Sequence, residues 1–239
     1  MKTAAVVTVT NGKRLLELAK CIASVKAQTY PCQHYVLVDG MNPDRFHNDY
    51  DYYDKDLHFC YWPKPIGGKD LEGRRWLAAA PHLINEDVTF FCNDDDWYEE
   101  NHVESIMAKI EDGNDWAHSF RRINDEEGNF MCLDNCEALG EAAQIWNMPG
   151  HHFVDWCMWG MKTDLLKQIA IILNRPDPQA DRHFYNAARE VFPKFEATGQ
   201  HTFNFRLGGT CGVKREYFDM GNLEMLRRFN GKLPWIKHE

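Results

Sequence analysis

Apolar and polar positions alternate along this chain in two rhythms. "AAVVTVT" (4–10) is short, continuous and β-branched, as expected of a strand covered on both faces. "KRLLELAKCIASVKAQ" then places Leu15, Leu18, Ala19, Ile22 and Val25 at helical spacing. "HYVLVDG" is a second buried strand, ending in Asp39 and Gly40. Strand, helix and strand within about forty residues form a βαβ unit, whose handedness rule makes the two strands parallel. "FCYW" is a short strand, "GGKDLEGRRWLAAAPHLI" a glycine-containing loop feeding a helix that stops near Pro81, "DVTFFCN" a strand and "EENHVESIMAKIED" a helix. The alternation predicts an α/β fold built on an open, mainly parallel sheet flanked by helices.

The second half is less regular. "DWAHSFRRINDEEGNFM" predicts a hairpin turning at Glu127-Gly128-Asn129, and "FVDWCMWGMKTDLLKQIAIIL" a strand followed by a helix opened at Thr163-Asp164. "DPQADRHFYNAAREVF" is a further helix, and from Gly199 onward the chain reads as an irregular tail ending in a basic, amphipathic stretch. With no repeat or linker, residues 1–239 are expected to form one domain: a regular half over 1–115 and an elaborated half over 116–239.

Composition narrows the classes. Of 239 residues, 44% are hydrophobic, enough for a sizeable core. The balance of 27 basic against 36 acidic residues, net −9, argues against a general nucleic-acid surface. No apolar run approaches the ~18 residues of a membrane span, and the N-terminus lacks the pattern of a signal peptide. A soluble, cytoplasmic protein is expected. The eight cysteines then read as reduced thiols. Cys132 and Cys136, with His151 and His152 downstream, have a zinc-like flavour but no second Cys-x-x-Cys to support it.

In an open α/β sheet, ligands bind beyond the carboxyl ends of the strands. Three strand ends carry polar groups there: Thr10-Asn11, Asp39-Gly40, and Asn93 followed by Asp94, Asp95 and Asp96. Adjacent carboxylates raise one another's pKa unless a cation neutralises them. Hard cations such as Mg²⁺ or Mn²⁺ accept one or two carboxylates and bridge to substrate phosphates. At least one of the three carboxylates, Asp95 and Asp96 among them, is expected on metal, and one is expected to cap the following helix, where Asp96 is placed. His201 is a further candidate contact for metal or phosphate. Upstream, Lys69, Arg74 and Arg75 add positive charge on a loop and first helical turn suited to a diphosphate. "IGGKD" lacks the full phosphate-loop pattern, which argues against an ATPase.

The run "VVTVTNGKRLLELAKCIASVKAQTYPCQHYVLVDG", the segment "GGKDLEGRRWLAAAPHL" and the motif "VTFFCNDDDWYEENHVESI" together resemble the inverting glycosyltransferases of family 2, which have the GT-A fold. The order and spacing of the motifs carry the likeness, which is close in the first half and loose in the second. The resemblance implies that Thr10 and Asp39 hold the base and ribose, that Arg74 or Arg75 faces the diphosphate, and that Asp95 is the main metal ligand. Asn93 stands where the family's first Asp touches ribose, with Asp94 beside it. "QADRHFYNAA" puts Asp181 at the position of the general base, with Asp177 nearby. "DWCMWGMK" puts Trp156, Trp159 and Gly160 in the segment lining the sugar and acceptor pocket. The implied reaction is a metal-dependent transfer of a hexosyl or pentosyl group, with inversion, from a nucleotide-diphosphate sugar (a UDP-sugar first) to a glycan or other hydroxyl acceptor. The alternatives are a nucleotidyltransferase, whose glycine-rich loop is missing from "TNGKRLLE", and a non-catalytic nucleotide-sugar-binding protein, suggested by Asn93 and by Ala180 where an acid is common.

Overall fold

The structure, a computed structural model, describes residues 1–41, 54–67, 73–146, 151–208 and 213–236. Its centre is a block of four parallel strands. β1 (Ala4–Thr10) pairs on one side with β2 (Gln33–Asp39) and on the other with β4 (Val88–Phe91), and β3 (Leu57–Trp62) extends the sheet beyond β2. Six of the seven residues of β1 and all four of β4 are buried, as their continuous apolar sequences require. α1 (Leu15–Lys26) closes the first crossover and seats Leu18, Cys21 and Val25 on the sheet. α2 (Arg74–Ala79) runs into a 3-10 turn at Ala80–His82 that contains Pro81, which is where the helix was expected to stop. α3 (His102–Glu111) buries Val103, Ile106, Met107 and Ile110.

Beyond β4 the sheet changes character. β8 (Trp159–Lys162) is antiparallel to β4 and to β6 (Trp116–Asn124). β6 makes the expected hairpin with β7 (Phe130–Leu133), through a turn that holds Gly128 at φ +84°. α4 (Thr163–Ile169) begins at the expected threonine, and α5 (Ala180–Val191) turns Phe184, Tyr185 and Ala188 inward.

A twelve-residue strand begins just before the region read as an irregular tail and runs well into it. β9 (Phe195–Arg206) runs parallel to β6 and pairs antiparallel with β5 (Trp97–Tyr98). Its polar residues and Gly199 hide the strand rhythm, and its register slips beside His118–Arg121. α6 (Arg215–Arg228) follows. The strand order is β3-β2-β1-β4-β8-β6-β9-β5, with β7 on β6. β5 follows directly on the loop after β4 and pairs with β9, so Asn93–Asp96 joins the parallel block to the second half.

Among the described residues, no helix is long and apolar enough to cross a membrane. Cys132 and Cys136 are free thiols, and Cys136 is buried with its Sγ 3.5 Å from Asp134 Oδ1.

Candidate functional site

The carboxyl ends of β1 and β4 meet in side-chain contact. Thr10 Oγ1 accepts the Gly12 N–H at 3.0 Å and donates to Asp94 Oδ2 at 2.7 Å. The turn after β1, with Gly12 at φ +71°, aims Arg14 at the same cluster. The Arg14 guanidinium contacts Asp95 Oδ2 and lies 3.3 Å from Asp94 Oδ1. Arg14 was not among the residues expected here. A basic residue four places beyond a strand end carries no signal of its own until the fold brings it across to residue 95.

These groups open onto a cleft of about 340 Å³ lined by Arg14, Arg74, Asn93–Asp96, Asp155, Trp156 and Arg206. A larger cavity of about 730 Å³ lies at the opposite end of the strands, against Thr3, Gln33 and Leu57. We assign the chemistry to the smaller one, because it sits at the carboxyl ends and gathers the opposed charges.

Burial pushes Asp94 up to about 6, against the pull of Arg14 and the Thr10 hydrogen bond. Asp96 is 2% exposed and is held well above the usual carboxylate range by burial and by the charges of Asp95 and Asp155. Both of its oxygens are engaged. Oδ1 accepts the Arg206 backbone N–H and Oδ2 accepts the Asn93 side-chain amide, each at 2.9 Å. It therefore ties the loop to β9 rather than capping a helix, since β5 intervenes and α3 starts only at His102. Asn93 also accepts from Trp156 Nε1 at 3.1 Å, so Trp156 forms one wall of the cleft, with the Arg74 guanidinium 5.5 Å from its ring.

The two arginines separate cleanly. Arg74 is buried, faces the cleft and donates to the Arg175 and Asp177 carbonyls at 3.1 and 2.6 Å. Arg75 is exposed and donates to the Ile66 carbonyl at 2.6 Å. Asp39, at the level of Thr10 on the neighbouring strand, accepts the Ile66 and Gly67 N–H groups at 2.8 and 3.0 Å and fixes that loop. Asn11 is exposed and closes its own turn onto the Lys13 N–H. Lys69 lies outside the described residues.

Three expected residues lie elsewhere. Trp159 is 2% exposed, stacked at 4.8 Å on Phe184 and edge-on to Phe91, so it belongs to the core. Gly160, in β8, is pressed against the ring of Phe90, its partner on β4. His201 approaches the Asp134 carbonyl at 3.3 Å and packs on Phe120; it is not among the residues lining the cleft.

Asp155 was missed and lines the cleft. Its Oδ1 accepts the Cys157 N–H at 2.9 Å, and its Oδ2 is 3.9 Å from the buried Arg121 guanidinium. Arg121 also bonds Asp134 at 2.6 Å and contacts Glu137. Asp155 extends the acid cluster towards α5. There Asp181, half-buried in the first turn, is pushed up to about 6, first by burial and then by the charge of Asp155. The competitor Asp177 is spent on the turn before α5, bonding Gln179 N–H and His183 at 2.9 Å each.

A search of curated protein sequences gave no match. Among solved structures, S. aureus TarS 1-349 superposes with a TM-score of 0.60 at 12% identity, over 85% of this chain and 60% of that one. The same protein in complex with UDP matches with a TM-score of 0.59 at 13% identity, over 97% and 72%. Its complex with UDP-GlcNAc matches with a TM-score of 0.59 at 15% identity, over 95% and 67%. At such identities these likenesses establish the fold, and the chain spans about three fifths to three quarters of the TarS 1-349 chains. The sequence itself matches the model of the glycosyl transferase family 2 across residues 5–170, which runs from β1 to the end of α4 and takes in Arg14, Arg74, Asn93–Asp96, Asp155 and Trp156 of the cleft but not Arg206. By that match the chain belongs to glycosyl transferase family 2.

Proposed function

We propose that the chain transfers a sugar from a nucleotide-diphosphate sugar, a UDP-sugar first, to an acceptor hydroxyl with inversion. The observation that carries this reading is the convergence of Thr10, Arg14, Asp94 and Asp95 at one strand edge, opposite Arg74 and Trp156. By the family's pattern, Thr10, Asp39 and Asn93 are assigned to the nucleoside, Asn93 from the cleft wall and the other two from the neighbouring strand ends. Arg74 offers a buried guanidinium to the diphosphate. That the TarS neighbours were solved with UDP and UDP-GlcNAc favours uridine as the base.

A divalent cation, Mn²⁺ or Mg²⁺, fits the donor set at Asp95. Its side chain is 20% exposed to the cleft, with Asp94 beside it. No group of three or more His, Cys, Asp or Glu side chains converges among the described residues. That suits an ion completed by phosphate oxygens and water rather than a protein cage. When bound, such an ion would neutralise charge developing on the departing diphosphate. Asp181 would accept the acceptor hydroxyl's proton as that oxygen attacks the anomeric carbon. A pKa lifted towards neutrality suits a general base. No covalent intermediate is required, and the configuration inverts.

The test is tryptophan fluorescence titrated with UDP, GDP and CMP, with and without Mn²⁺, using the reporter Trp156. Metal-dependent tightening for a nucleoside diphosphate, lost in Asp95→Ala, is the expected result. Absence of binding to any nucleotide would overturn the reading. For the base, Asp181→Asn should keep donor binding and lose transfer; full transfer by that variant would remove Asp181 from the mechanism.

A further inference from the structure

Asp94 and Asp95 are adjacent, face one cleft with Asp96 and Asp155, and would repel strongly without a cation between them. In this structure the cation is a side chain. The Arg14 guanidinium contacts Asp95 Oδ2 and Asp94 Oδ1, the carboxylates on which a divalent ion would sit. The other cationic side chains of the cleft are engaged elsewhere. Arg206 reaches Glu17 at 3.2 Å and the Glu126 carbonyl at 2.6 Å, and Arg74 reaches the Arg175 and Asp177 carbonyls.

We propose that Arg14 is an internal counter-ion that occupies the Asp94–Asp95 carboxylates in the donor-free protein and is displaced from them when a divalent cation binds. The inference rests on the reading of Asp95 as a metal ligand given above. Arg14 is built for exchange. It stands at the N-terminal end of α1, where its backbone carbonyl already accepts the Leu18 N–H, so the helix start does not depend on the side chain. That side chain is 35% exposed, with solvent to swing into. A guanidinium bound there lowers the fraction of protein able to take the metal, and the apparent affinity falls by that fraction. A diphosphate arriving with the ion supplies the missing negative charge and gives the displaced guanidinium a new counter-ion. Metal alone should therefore bind weakly, and metal with nucleotide much more tightly.

The experiment measures Mn²⁺ binding by electron paramagnetic resonance on the full chain, without nucleotide and then with UDP. Proteins compared are the wild type, Arg14→Gln, Arg14→Met and Asp95→Ala, each checked for an intact thermal transition. With a competitor occupying the carboxylates about nine-tenths of the time, both Arg14 variants should bind Mn²⁺ alone about tenfold more tightly than wild type. The gain in Mn²⁺ affinity on adding UDP should shrink correspondingly. Unchanged or weaker Mn²⁺ binding in the two Arg14 variants, with binding still lost in Asp95→Ala, would overturn the counter-ion role and leave the metal reading standing. Mn²⁺ binding of equal strength in Asp95→Ala and wild type would overturn the metal reading, and this inference with it.

Discussion

Thr10 Oγ1 and Asp94 Oδ2, 84 positions apart in sequence, share a 2.7 Å hydrogen bond between two buried side chains. It joins the end of the first strand to the acidic loop after β4 and gives a buried carboxyl, pushed up to about 6 by burial, one of its few donors. Thr10→Val keeps the shape and removes that donor. Hydrogen bonds to charged groups contribute about 1.5–3 kcal/mol, so the variant should lose a comparable amount of stability in urea unfolding. Thr10→Ser should retain most of it. Equal stability of the valine variant and wild type would mean that the contact holds nothing.

A second prediction concerns the charge hub beneath the cleft. Arg121 has a side chain only 5% exposed and serves Asp134, Glu137 and Asp155 at once. Although burial alone would raise Asp134, the Arg121 guanidinium and the N–H groups of Cys136 and Ala138 hold it below its ordinary value. Removing one partner of a buried pair typically costs about 3–5 kcal/mol, because the other charge stays buried and uncompensated. Arg121→Met should therefore unfold at markedly lower denaturant. A loss under about 1 kcal/mol would show that the acids simply protonate.

Gly160 provides a third. A Cβ built there would lie 2.5 and 2.6 Å from two carbons of the Phe90 ring and 3.0 Å from Ile106 Cγ2. β8 is hydrogen-bonded on both sides, to β4 and β6, and has little room to retreat. Gly160→Ala should destabilise by about 1–3 kcal/mol through overpacking. UDP affinity of the folded fraction should be unchanged, since this residue sits within the sheet, facing Phe90 and Ile106, and does not line the cleft. A selective loss of ligand affinity at full stability would return Gly160 to the pocket wall.

The contrast between these residues shows what the chain discloses in one dimension. β1, α1 and β2 declare themselves through apolar periodicity, and the Asp94–Asp96 cluster stands out because its repulsion demands a partner. That partner, Arg14, is 81 positions from Asp95, and no local rule connects them. Trp159 and Trp156 are three residues apart in one segment, yet one stacks in the core and the other bonds Asn93 at the cleft. The difference arises because Trp159 belongs to β8 and Trp156 to the loop before it, a boundary that composition does not mark. β9 is hidden for a related reason. Half-buried on an irregular register against β6, it alternates weakly and carries a glycine.

The last prediction follows from Asp181 and Asp155. Asp181 is pushed up to about 6 by burial and by the charge of Asp155, and lowered by the Arg182 N–H and guanidinium, with Glu137 adding a small upward push. As a base it must be ionised, so kcat/KM for transfer should rise through about pH 6 and level off above it. Replacing Asp155 by Asn removes a negative neighbour, so the rising limb should move to lower pH. An unmoved limb in Asp155→Asn would separate the two carboxylates. Stability should respond with the opposite sense. Because the folded-state value lies above the ordinary 3.8 of an aspartate, the stabilisation from this group is fully present below about 3.8 and is lost as pH rises through about 6. At pH 7.5 the wild type therefore carries a buried charge that Asp181→Asn does not. The variant, though inactive in transfer, should be more stable there by about 1–2 kcal/mol, a value reduced for the partial exposure of the side chain. At pH 3.5 that advantage should vanish. A variant equally stable at both values would show that Asp181 is solvated and too ordinary a carboxylate to serve as a tuned base.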